Sequence, residues 1–272
     1  MSEDSGLSQE GFGLDSQQVM LPAFVAAYSG ESAEDVNMEA IKETPIPNWK
    51  VTYRGLMNLK WFKENFSNFT LTHNYKSFYS IANFNANLNY DKSNPGQVDA
   101  SGNYLNELNY TNLSLIEEFS PLIKVDMRMK NSFSLKGEVL TDRMFTMNFN
   151  NETTTEVVGQ EYVVGLGYRV KDVAFRTKVN GRSKRLIGDL NLRMDLSMRN
   201  NLTLIRSIDS QNNQITGGQT LFSFKFAADY ALTRAMQASF YYDHNTSRYA
   251  LSTTYPRQSI NSGISLTYNL GN

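Results

Sequence analysis

Between Asp189 and Arg199 the chain alternates strictly. Leu190, Leu192, Met194, Leu196 and Met198 fall on one side of an extended strand, and Asp189, Asn191, Arg193, Asp195, Ser197 and Arg199 fall on the other. Read at helical spacing, these charges would be scattered around the whole circumference, so the period of 2 predicts a strand. An ordinary strand has about 5–6 residues, whereas one crossing a bilayer at a tilt needs roughly 9–11. The run from 189 to 199 has the longer length.

The same alternation recurs from Asn48 onward. Trp49, Val51 and Tyr53 alternate with Lys50, Thr52 and Arg54, and Phe69, Leu71, His73 and Tyr75 make the next face, followed by a segment ending in Phe84, Ala86, Leu88 and Tyr90. Leu113–Ile116 is interrupted at Glu117-Glu118-Phe119-Ser120-Pro121, after which Ile123, Val125, Met127 and Met129 resume. Further strands are predicted around 133–140, 144–149 and 162–170, and Leu202–Ile208 leads into a polar loop over 209–218. Phe222, Phe224 and Phe226 then alternate with Ser223 and Lys225. Segments at 236–242, 249–255 and 260–270 complete about a dozen predicted strands. Gly165 and Gly167 leave room for bending or close approach in theirs. Residues 91–102, with Ser-Asn-Pro-Gly, read as a long exposed loop.

Residues 1–47 read differently. Gly, Ser, Asp and Glu dominate the start, a short helix is predicted over Leu21–Gly30 with Pro22 in its first turn, and a second from Ser32 to about Lys42. Thr44-Pro45-Ile46-Pro47 stops helical structure. Leu56–Phe66 has helix-like spacing within the strand region, predicting a short helical connection.

Composition and the N-terminal sequence adjust this picture. The net charge of −1 argues against a nucleic-acid binder relying on basic excess. With no cysteine, thiolate catalysis, disulfides and Cys-based metal sites are excluded. The apolar runs of about 18 residues that mark helical membrane spans are missing, but a barrel hides its membrane signal in alternation, so a mean hydropathy of −0.44 does not count against one. Aromatics near strand ends fit the girdles of a membrane barrel, and equally the packing of a soluble sandwich. Met1-Ser-Glu-Asp-Ser-Gly-Leu is no secretory signal, which leads us to expect the downstream part of a longer polypeptide.

Candidate chemistry is sparse. The two histidines, His73 and His244, read as interfacial or surface residues. Asp243-His244 with Ser247 invites a hydrolase reading, but adjacent strand residues point to opposite faces. Gly-x-Ser-x-Gly, P-loop, HExxH and Gly-x-Gly-x-x-Gly patterns are missing, and the Asp/Asn-rich loops at 91–103 and 209–213 lack EF-hand spacing. No catalytic, cofactor-binding or metal residue is expected.

Several blocks, in order along nearly the whole chain, resemble the C-terminal part of the SprA family. They are Leu21-Pro22-Ala23-Phe24-Val25-Ala26-Ala27-Tyr28-Ser29-Gly30, Pro47-Asn48-Trp49-Lys50-Val51-Thr52-Tyr53-Arg54-Gly55-Leu56, Glu118-Phe119-Ser120-Pro121-Leu122-Ile123, Gly165-Leu166-Gly167-Tyr168-Arg169-Val170-Lys171-Asp172 and Asp189-Leu190-Asn191-Leu192-Arg193-Met194-Asp195-Leu196. Members of that family, called Sov in some species, are outer-membrane translocons of the type IX secretion system of Bacteroidota, linked to gliding motility. The resemblance implies a very large single-chain barrel that conducts folded cargo proteins. It also implies a lateral opening covered by a PorV-type partner and a plug protein closing the pore.

The expectation is therefore an all-β chain. Residues 1–47 form loop and short helices, and residues 48–272 form transmembrane strands in part of a barrel wall, in contact with outer-membrane lipid. Leu190, Leu192, Met194, Leu196, Met198, Phe222, Phe224 and Phe226 are expected to face lipid. Asp189, Asn191, Arg193, Asp195, Arg199 and Lys225 are expected to face the lumen. A self-contained small porin and a surface β-sandwich adhesin are the alternatives, with an enzyme a distant fourth.

Overall fold

The computed structural model describes residues 11–29, 47–179, 182–208, 213–233, 235–251 and 255–268. The second helix expected from Ser32 lies outside them, as do Thr253 and Leu270 of the expected C-terminal strands.

The described chain is all-β apart from short helices. Nine antiparallel strands form one sheet in chain order: β1 (Trp49–Tyr53), β2 (Phe66–Ala86), β3 (Leu108–Met129), β4 (Phe133–Asn148), β5 (Thr153–Val179), β6 (Arg182–Ser207), β7 (Asn213–Ala231), β8 (Met236–Tyr249) and β9 (Arg257–Tyr268). The two edges, β1 and β9, are not paired with each other. Among the described residues no helix is long and apolar enough to cross a membrane.

Nine strands replace the expected dozen because the interruptions bend strands without ending them. Leu113–Ile116 and Ile123–Met129 are one strand, β3, with a register shift between Phe119 and Ile123. Pro121 cannot donate to a ladder, and it sits inside that shift. Two side chains of β2 take up the carbonyls the bulge frees: Asn74 Nδ2 donates to Ser120 at 3.0 Å, and His73 Nδ1 to Leu122 at 2.6 Å. Segments 133–140 and 144–149 are likewise one strand, β4. The predicted loop over 209–218 is shorter than expected, since β7 begins at Asn213. The strand predicted over 249–255 does not form as read: β8 ends at Tyr249 and Leu251 lies in a bend.

Short and long connections occur at both ends of the sheet. β3 and β4 are joined by Lys130–Ser132, with Ser132 at φ 69° and Asn131 Oδ1 accepting from the Phe133 amide at 3.2 Å. β2 and β3 are joined at the opposite end by the long excursion 87–107. There Asp91 accepts from the Ser93 hydroxyl and amide, which hold its carboxyl below the usual range. The helical spacing at Leu56–Phe66 becomes a 3-10 turn (Gly55–Asn58) and helix α2 (Lys60–Asn65) between β1 and β2.

Helix α1 (Gln17–Ser29) starts a turn earlier than predicted, with the Val19 and Met20 amides bonded to the Ser16 carbonyl, so Pro22 lies in its interior. Met20, Leu21, Phe24 and Val25 share one face and are buried against Leu113, Leu115, Phe145 and Met147. Phe24 stacks on Phe145 with centroids 4.8 Å apart and planes 7° apart. This contact is the main buried core of the described chain, and it sits at the long-loop end of β3 and β4.

Candidate functional site

The strand registers sort every side chain into rungs that cross the sheet. One rung runs Asp126, Lys136, Gly165, Asp195, Lys225, Asp243 from β3 to β8. The next runs Met127, Leu135, Leu166, Met194, Phe226, Tyr242. Since neighbouring rungs point to opposite faces, one face is polar and the other apolar across these five strand pairings.

All eight residues expected to face lipid stand on the apolar face. Leu190, Leu192, Met194, Leu196 and Met198 are in register with Tyr230, Ala228, Phe226, Phe224 and Phe222 of β7, and with Val170, Tyr168, Leu166, Val164 and Tyr162 of β5. Asp189, Asn191, Arg193, Asp195, Arg199 and Lys225 stand on the polar face. Arg193 bonds Asp229 at 2.8 Å, Arg199 bonds Asp142 at 2.7 Å and Glu161 at 3.3 Å, and Arg169 bonds Asp189. On β6 the apolar stretch spans eight residue steps, about 26 Å along the strand and about 20 Å after a tilt of 35–45°. That is close to the roughly 25 Å band of outer-membrane barrels.

The apolar band is open to its surroundings: Tyr162, Tyr168, Met198 and Phe222 are each more than 40 % exposed, and Ile264 of β9 is 81 % exposed. Across β2 to β9 at about 4.8 Å per strand the band covers roughly 900 Å², above the few hundred Å² that soluble monomers expose.

Towards the long-loop end the apolar face changes character, and the alternation did not foretell this. Glu117, Arg143, Glu156 and Arg206 share the parity of the apolar residues yet are charged. They are satisfied within the sheet: Tyr75 Oη donates to Glu117 at 2.7 Å, and Glu156 takes Arg143 at 2.8 Å and Arg206 at 3.0 Å. Beyond this belt lies the patch covered by α1. The strands therefore outrun the apolar band at this end, and β5 and β6 also run past it at the other, where Val173–Val179 pairs with Arg182–Gly188.

The polar face is hollowed. A trough of about 1010 Å³ runs over β1 to β6, lined by Lys50, Arg54, Lys76, Arg128, Lys136 and Asp195 among others. Gly165 and Gly167 deepen it. A Cβ at Gly165 would stand 2.6 Å from Asp195 Oδ1, and one at Gly167 would meet the Ser134 hydroxyl. The glycines thus serve close approach of neighbouring side chains, one of the two roles their spacing allowed. A second hollow of about 580 Å³ continues it past Arg169, Asn191 and Arg193.

The histidines stay apart from any reactive set. Asp243 shares its face with Lys225, whereas His244 stands with Phe224 and Ile260 on the other, its Nε2 2.7 Å from Gln258 Nε2. Ser247 has the parity of Asp243, so the three do not converge. Among the described residues no three His, Asp or Glu side chains are placed to hold a metal. No protein-family model and no curated protein matches the chain.

Proposed function

We propose that this chain is a wall segment of an outer-membrane β-barrel, and specifically of a SprA-like channel passing folded proteins across the outer membrane. The observation that carries the membrane reading is the opposition of two faces over β2 to β9. One is an exposed apolar band of bilayer height; the other is a charged, hydroxyl-rich, hollowed surface suited to a water-filled lumen. Closed belts of hydrogen-bonded strands are what hydrocarbon demands, because every backbone group must be satisfied internally.

One further feature supports a wall segment over a self-contained small barrel. β1 and β9 each present a free edge among the described residues, and β1 covers only Leu71–Tyr75 of a 21-residue neighbour. Free edges suit a segment flanked by further strands. The charged belt of Glu117, Arg143, Glu156 and Arg206 suits the upper limit of the hydrocarbon, since such side chains are costly at the lipid face of a barrel. The secretion role itself rests on the resemblance of the quoted blocks, which also implies the PorV-type partner, the plug and the cargo.

The test is an immunoblot of outer membranes from the native organism, with an antibody against residues 264–272. A detergent-dependent, alkali-resistant band several times heavier than 30.9 kDa supports the giant-barrel reading. An alkali-resistant band near 30.9 kDa makes a small pore the better answer, and release by alkali refutes the barrel altogether.

A further inference from the structure

The trough on the polar face is not evenly charged. In its middle the cations are matched: Lys124 meets Asp126 at 3.2 Å, Lys136 meets Glu138 at 2.7 Å, and Arg193 meets Asp229 at 2.8 Å. Along its β1–β3 side they are not. Among the described residues, Lys50, Arg54, Lys76 and Arg128 have no carboxylate within 4.0 Å, and all four are exposed. Glu118 is in register with Lys76 without closing to ion-pair distance. A chain of net charge −1 has therefore gathered four unmatched cations on one side of one hollow.

We infer that this side of the trough binds an extended acidic peptide segment. The inference deepens the proposal above, because it rests on the polar face being the water-filled side of the wall. The strip runs beside β2 from Lys76 to Asn68, the register partner of Arg128. That is eight residue steps, about 26 Å, the reach of roughly eight extended residues. Between the cations, Thr52, Thr70, Thr72 and Asn74 line the floor with donors and acceptors for a peptide backbone.

The chemistry selects a peptide over other anions. Asp126, Glu138 and Asp195 line the same trough, so the closely spaced phosphates of a nucleic acid would meet like charge. No aromatic ring is among the described lining residues, which removes the stacking platform that single strands use. Lipid belongs to the opposite, apolar face. A peptide instead sets its carboxylates at intervals and leaves neutral amides opposite the acids.

The test uses the whole 272-residue chain in zwitterionic detergent and a fluorescein-labelled deca-glutamate peptide read by anisotropy. Binding is expected at low salt and is lost as salt rises. The pair Lys50→Glu with Arg128→Glu is expected to weaken it by about tenfold or more, since two attractions become repulsions along the strip. Arg248→Glu, outside the trough, leaves it unchanged. Carbodiimide cross-linking of the peptide to the unmodified chain should map to Lys50 and Lys76, which keeps the test independent of how the variants fold. Equal binding by deca-thymidylate, full competition by equimolar inorganic phosphate, or cross-links elsewhere would overturn the inference. A chain that inserts into vesicles but ignores the peptide refutes this inference alone. A chain that binds it while soluble without detergent refutes the membrane reading and leaves this one standing.

Discussion

Arg193 and Met194 are consecutive in the chain and opposite in surroundings. Arg193 donates to Asp229 Oδ2 at 2.8 Å on the polar face, while Met194 stands between Leu166 and Phe226 on the apolar one. The strand registers carry that division from β5 through β7.

The first prediction follows from those two residues. Met194→Arg places a charge in the middle of the apolar band and should cost about 2–4 kcal/mol if the band meets hydrocarbon. Arg193→Gln removes one exposed ion pair, worth at most about 1 kcal/mol. In a vesicle-assembly assay the first variant should fail or fold poorly and the second should assemble as the parent does. Equal behaviour contradicts the facing assignment.

A second prediction separates two glycines. A Cβ at Gly188 would collide with the backbone carbonyl oxygen of Ala231, which cannot retreat without disturbing β7. A Cβ at Gly165 meets only the mobile end of Asp195, at 2.6 Å. Gly188→Ala should therefore lower the urea midpoint of the folded chain, by about 1–3 kcal/mol of overpacking, and Gly165→Ala should leave it nearly unchanged.

The third concerns α1. Phe24 is 3 % exposed and stacked on Phe145, so Phe24→Ala should cost about 3–5 kcal/mol of helix docking. Because the strands hold one another through their own ladders, the loss should appear locally. Limited proteolysis should cut within 17–29 of the variant while the sheet remains protected. Unchanged protection of α1 would mean that the stacking contributes little.

The facing of β6, β7 and β9 was legible in the sequence because alternation is a local property: a residue's face depends only on its position in an unbroken strand. The helical turn after Gly55 was legible for the same reason. Strand ends were not. Pro121 is a strong breaker in isolation, yet Asn74 and His73 satisfy the carbonyls its bulge frees, and neither is near it in sequence. The charged belt was hidden for a related reason. Glu117 and Glu156 look like breaks in a pattern until Tyr75, Arg143 and Arg206 arrive from other strands. The trough was invisible as well, since it depends on Lys50, Arg54, Lys76 and Arg128 being brought side by side by pairing.

The chain has no native cysteine, so single cysteines can be placed without background, and this permits the most direct test of the central claim. Each position from 189 to 199 would be replaced by cysteine in turn and challenged, in the assembled membrane, with a water-soluble maleimide. The account predicts a period of 2: positions 189, 191, 193, 195, 197 and 199 label, while 190, 192, 194, 196 and 198 are protected until detergent is added. Uniform labelling along the strand, or labelling of the even positions, would show that the apolar face does not meet lipid.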